Sequence, residues 1–235
     1  MVAVWWLMSV SSTVASSVIP SPPSVLGALA GQLATGVLVE HVVASLGRSV
    51  LGYLAAAAVG VPVGLLMGVS PTARGVLAAP VELLRPVSSI AWIPLAILWF
   101  GIGVSSVAFV TFIVCVFLVL LNTLAGALSV DGDLLKAART LGAGRRVLFQ
   151  KVVVPSALPG ILLGLRVALA GAWGGVVVTE MIASQNGIGY MIHHAQITFQ
   201  PGLVIGGMLV IGLVGYGLNR AFLVLEQRLL PYARA

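Results

Sequence analysis

The sequence predicts an all-α membrane protein with about six transmembrane helices, and three observations carry that reading. Hydrophobic residues make up 60% of the chain and charged residues only 8%, whereas a soluble domain needs about a quarter of its residues charged to cover its surface. Mean hydropathy is +1.14. Several apolar runs reach the ~18 to 20 residues that cross a hydrocarbon core.

The elements follow in order. Val2 to Ile19 is apolar or small and ends at Pro20-Ser21-Pro22-Pro23, since proline cannot continue a helix. No basic segment precedes it, so it reads as a retained first span rather than a signal peptide. Val25 to Arg48 has mixed polarity and reads as an interfacial segment. Residues 1–48 thus form an N-terminal helix and interfacial segment, and residues 49–235 the main helical core. The second span is expected from about Ser49 to Gly68, followed by a polar connection carrying Arg74, Glu82 and Arg85. The third, about Val87 to Gly101, contains Pro94, which leaves a carbonyl unpaired and so demands protein or water beside it. Ser105 to Leu128 is the fourth span, Leu158 to Ala183 the fifth and Gly202 to Leu223 the sixth. Ser184 to Pro201 reads as a polar loop.

The chain carries a net charge of +6, and the positions of the basic residues explain it. With six spans, both termini share a side with the loops at residues 70–86 and 129–156. That side holds Arg74, Arg85, Lys136, Arg139, Arg145, Arg146, Lys151, Arg220, Arg228 and Arg234, and the other side holds Arg48 alone. Such segregation places the termini and the 129–156 loop in the cytoplasm, and no nucleic-acid partner is needed to explain the charge. The single cysteine, Cys115, excludes an intrachain disulfide and a cysteine-rich metal site.

Residues 129–156 hold the one dense charge run. Asp133 can cap a short helix whose first turn begins at Leu134. Leu134, Ala138 and Leu141 then share a face, while Lys136, Arg139 and Thr140 point elsewhere. Gly142 permits a sharp reversal at the helix end. Ala137 and Ala138 are small enough for another protein to approach the backbone closely. On these grounds alone, a helix presented to a cytoplasmic partner and an ordinary solvated loop stand level.

The same loop resembles the EAA loop of bacterial ABC-importer permeases. Ala137 and Ala138 match the two alanines, Gly142 the glycine and Pro155 the proline, with Val152 and Val154 at aliphatic positions. Lys136 stands where that family usually has Glu, which removes an acidic side chain and leaves the hinge geometry intact. From Glu82-Leu83-Leu84-Arg85-Pro86 through Leu98-Trp99-Phe100-Gly101 to Gly187-Ile188-Gly189-Tyr190, the chain is similar to the sulfonate, taurine and nitrate branch. The resemblance implies a type I importer permease fold in the bacterial inner membrane, forming a homodimer. It implies two cytoplasmic ATP-binding subunits and an extracytoplasmic substrate-binding protein as partners. Leu134, Lys136, Ala137, Ala138, Arg139, Leu141, Gly142 and Pro155 would couple the permease to the ATPase. No Walker sequence occurs, so ATP and Mg²⁺ belong to that partner, and the chain is itself no enzyme.

A few residues within the spans are candidates for the translocation path. Glu180 lies within a span and either lines the path or ties the fifth span to the following loop. Arg166 reads as structural. Glu180 with Trp92 and Trp173 make up the candidate path. His193 and His194 lack companions for a metal site. Gly60/Gly64 and Gly164/Gly171 are expected to allow close helix packing. A secondary transporter working without an ATPase is the alternative, though related halves are not visible. Intramembrane hydrolysis lacks its nucleophile and base.

Overall fold

The computed structural model describes Trp6 and residues 20–229, and every regular element among them is helical. The predicted first span lies outside the described residues, Trp6 excepted. Helix α1 spans Pro22–Ala34 and α2 Val37–Val69. Helix α3 spans Pro71–Leu84, and a 3₁₀ turn (Ser89–Trp92) leads into α4, Ile93–Phe100. Helix α5 spans Val104–Leu128, α6 Gly132–Thr140 and α7 Arg145–Leu148. A π-helical turn over Phe149–Val153 joins α7 to α8, Val154–Ala183. Helices α9 and α10 are Ile188–Ile197 and Pro201–Leu229.

Four of these stretches are long and apolar enough to cross a membrane: Val37–Val69, Val104–Leu128, Arg145–Ala183 and Pro201–Arg228. Helix α3 and the Ser89–Phe100 segment meet at a bend of 89° and together make either a broken fifth span or a re-entrant loop. The predicted third span is therefore a short helix set against another. Pro86 stops α3, as a proline disfavours helix at the preceding residue. Pro94 falls in the first turn of α4, where an N–H would have no intrahelical acceptor, so no carbonyl is orphaned as expected.

The second span also differs from expectation. Helix α2 begins at Val37 and runs unbroken through Arg48, so residues 37–48 continue the helix of the second span rather than forming a separate segment. Its buried positions Leu38, Ser45, Ser49, Gly52, Ala56, Gly60 and Gly64 keep one helical face throughout. Ser45 and Arg48 misled because they are buried against protein, whereas Glu40 stays exposed. Similarly, the expected loop after the fifth span contains α9.

Helix α5 lies between α2 and α8 at the centre of the bundle. Ala56, Cys115, Val116, Val119, Ala168 and Ala172 make their common core. Glycine sets how closely these helices approach. A Cβ on Gly64 would lie 2.7 Å from the Leu120 carbonyl oxygen of α5, and one on Gly160 would lie 2.7 Å from Gly126 Cα. Lipid tails supply no hydrophobic drive between helices, so this close packing is a main source of cohesion. Gly164 and Gly171 meet α5 in the same way, as expected.

Candidate functional site

Two polar assemblies stand out, one at each end of α8. At its C-terminal end, three helices meet over Glu180, which is wholly buried. Its Oε2 accepts from Ser45 Oγ at 2.7 Å and from the Gly189 N–H at 3.1 Å, and its Oε1 accepts from Arg48 Nη1 at 2.7 Å. Arg48, 5% exposed, also donates to the Asn186 carbonyl at 2.8 Å and to the Asn186 side chain. The neighbouring N–H groups of α9 are satisfied from α2, Gly187 by His41 Nδ1 at 3.0 Å and Ile188 by Ser45 Oγ at 2.8 Å. Side chains of α2 and α8 thus occupy the donors that open α9, and the carboxylate sits where the helix dipole favours negative charge.

Glu180 is therefore the tie between the fifth span and the segment after it. Arg48, placed outside the membrane by the charge count, is its buried partner. His41, Ser45 and Arg48 were missed as a group. Their spacing puts them on one helical face, and that signal is visible once residues 37–48 are read as helix. Trp173 is 5% exposed, and its indole N–H donates to the Ile211 carbonyl at 2.9 Å, binding α8 to α10. Trp92 is half-buried and packs edge-on against Phe109, with ring centroids 6.3 Å apart. The three candidate path residues are not gathered around a common cavity. Arg166 pairs at 3.7 Å with Glu226 of α10, which accords with a structural role.

At the other end of α8 stands α6. Asp131, not Asp133, caps it, accepting from the Asp133 N–H at 2.8 Å. Its C-terminus closes in a Schellman motif. The Ala143 N–H reaches the Ala138 carbonyl, the Gly142 N–H reaches Arg139, and Gly142 takes φ +82°. Asp133 in the first turn and Arg139 in the last complement the dipole. Leu135 and Ala138 face the bundle and are half-buried, whereas Leu134, Ala137 and Leu141 are exposed. The outward apolar stripe is thus Leu134, Ala137 and Leu141, with Ala138 turned inward, and Leu141 is 88% exposed. Lys136 bonds Asp133 at 2.8 Å on the exposed surface.

Behind α6 lies a cavity of about 1000 Å³, bordered by Ser70, Leu135, Arg139, Arg145, Arg146 and Phe149 among others. The π turn lies directly before Pro155, which has no N–H to offer the Lys151 carbonyl four residues earlier. Wider turns of this kind absorb such a mismatch without ending the helix.

Residues 60–231 match the family of binding-protein-dependent transport system inner membrane components. The chain belongs to this family of permeases. A putative ABC transporter permease protein of Methanocaldococcus jannaschii is 42% identical over 199 residues, 84% of this permease and 74% of the relative. The taurine transport system permease protein of Escherichia coli is 36% identical over 237 residues, 99% and 86% of the two chains. A nitrate import permease protein of Leptolyngbya laminosa is 33% identical over 191 residues, 81% and 68%. Among solved structures, a chain of the MetNI methionine ABC transporter in an inward-facing conformation superposes with a TM-score of 0.74. It covers 82% of this permease and 96% of its own length at 19% identity, which shows the type I importer fold. The permease is thus an ABC-importer subunit of the sulfonate, taurine and nitrate branch, and a multi-pass membrane protein.

Proposed function

We propose that this permease forms half of a transport path for a small anion, such as a sulfonate, taurine or nitrate, and couples it through α6 to a cytoplasmic ATPase. The observation that carries the coupling is α6 itself. It is a helix capped at both ends, holding an apolar stripe to solvent at the root of a membrane-crossing helix. A solvated loop has no use for an 88% exposed Leu141 beside Leu134 and Ala137. The substrate class rests on relatives named for taurine and nitrate.

In this reading, two permease copies sit on two ATP-binding subunits, with both termini and α6 in the cytoplasm. An extracytoplasmic binding protein delivers the substrate. ATP and Mg²⁺ are held by the ATPase, whose closure displaces α6. Arg145–Ala183 is one stretch that begins just after the Gly142 turn, with its π turn and Pro155 at the base, so the displacement reaches α8 as a rigid-body movement between two states.

Co-expression of a tagged permease with the ATPase encoded beside it, followed by purification in lipid, tests this. Wild type is expected to bring the ATPase down in a stable complex. Ala137→Arg and Leu141→Asp are expected to abolish it while the permease keeps its unfolding temperature. Capture unaffected by both substitutions would refute docking through α6.

A further inference from the structure

Two grooves on the α5–α8 side of the bundle join into one channel-like surface. The first, about 360 Å³, is lined by Arg85, Ser89, Phe117, Leu121 and Asn122 among others. The second, about 210 Å³, is lined by Ile90, Val110, Gly171, Gly174, Gly175 and Thr179 among others. Ser89 and Val114 border both, so the two are continuous. From Val110 to Asn122 the surface follows roughly 18 Å of α5, at about 1.5 Å per residue. The glycines of α8 leave its floor without side chains, and Gly174 has nothing within 4 Å of where a Cβ would stand.

The chemistry changes along this surface. Its C-terminal end on α5, the end toward α6, collects the donors. Arg85 makes no ion pair among the described residues, unlike Arg48 and Arg166. Asn122 Nδ2 gives one hydrogen to the Leu118 carbonyl at 2.8 Å and keeps a second. Ser89 adds a hydroxyl. No carboxylate lines either groove. The cavity behind α6 holds more arginines, but it lies beneath the docking helix and not along the bundle.

We infer that Arg85, Ser89 and Asn122 form an oxyanion site in the inner of the two grooves, from its inner end to the junction at Ser89, and that the groove is this subunit's share of the translocation path. The inference rests on the anion-importer reading above. A guanidinium with two neutral donors matches the several acceptor oxygens of a sulfonate or nitrate, and charge-assisted bonds hold such a group best. Glu180, Trp92 and Trp173 then hold the walls and do not touch the substrate.

The test uses the permease–ATPase complex in inside-out vesicles, with Cys115→Ala removing the one native thiol. Ser89→Cys is labelled with a sulfonate-bearing thiosulfonate and with its trimethylammonium counterpart. The ratio of anionic to cationic labelling rates is expected to fall about five-fold on adding Arg85→Gln, as loss of a nearby charge requires. Arg85→Lys should preserve the ratio, and so should Arg228→Gln outside the groove. A Ser89→Cys that does not label, or a ratio indifferent to Arg85, would overturn the site. ATP-driven uptake of radiolabelled taurine and nitrate into proteoliposomes that also hold the external binding protein, with ATP on the cytoplasmic face, separates the two readings. Import of either, unchanged by Arg85→Gln, overturns the groove proposal alone. Import of neither by the wild-type complex overturns the anion reading and the groove's role with it.

Discussion

Arg48 of α2 and Glu180 of α8 meet at 2.7 Å with both side chains almost wholly withdrawn from solvent. They stand 132 positions apart in the chain. The pair, with Ser45 and the Gly189 N–H, fastens the start of α9 to two membrane-crossing helices.

Glu180→Gln should therefore destabilise the permease, because it leaves Arg48 buried without a counter-charge. Breaking one partner of such a pair costs about 3–5 kcal/mol, whereas replacing both by apolar residues is often neutral. Unfolding temperature in detergent should drop strongly for Glu180→Gln and recover in Arg48→Met/Glu180→Met. A Glu180→Gln protein as stable as wild type would show that the pair is not structural.

Close packing along α5 gives a second expectation. Gly160→Leu should separate α8 from α5, since a Cβ there already meets Gly126 Cα and the Asn122 carbonyl. Overpacking of this kind costs about 1–3 kcal/mol or more. Gly27→Ala, with nothing within 4 Å, should be neutral or stabilising. Thermal unfolding of the two variants side by side checks the contrast.

Much of this was legible before the structure. Apolar runs located the fourth, fifth and sixth spans, because lipid-facing helices must be apolar whatever they pack against. Gly142 marked the end of α6, because the left-handed backbone it supplies is a local requirement. What failed were inferences that treated polarity as exposure. Arg48 and Glu40 made residues 37–48 look interfacial, yet the helix continues because Arg48 finds Glu180, a partner no local pattern could name. Helical spacing groups Ala138 with Leu134 and Leu141 but does not say which side of α6 meets the bundle, and Ala138 is the half-buried one of the three. The bend within the expected third span hides in the same way, as length and apolarity do not reveal an angle of 89°.

The turn after α6 supplies a third expectation. Gly142 sits at φ +82°, so Gly142→Ala should cost about 1–2 kcal/mol locally. Global unfolding should be little changed, while the amides of α6 exchange faster with deuterium and affinity for the ATPase falls.

Lys136 stands where the family usually has Glu, and its bond to Asp133 joins side chains 77% and 84% exposed. Exposed pairs contribute little, so Lys136→Glu should leave the unfolding temperature nearly unchanged. Any change it makes in ATPase capture then reports the charge of the docking surface and not damage to the helix.

Trp173→Phe should cost about 1 kcal/mol by removing the bond to the Ile211 carbonyl, with modest effect on uptake. A collapse of uptake at unchanged stability would return Trp173 to the translocation path.

Transport energised by the partner is the centre of the account, and uptake in proteoliposomes tests it most directly. Vesicles holding the permease, its ATPase and the external binding protein are loaded with ATP or with a non-hydrolysable analogue, and accumulation of labelled taurine and nitrate is followed. Accumulation only with hydrolysable ATP, and its loss in Leu141→Asp, is the expected result. Accumulation by the permease alone, driven by an ion gradient without ATPase or nucleotide, would contradict the account and make the chain a secondary transporter.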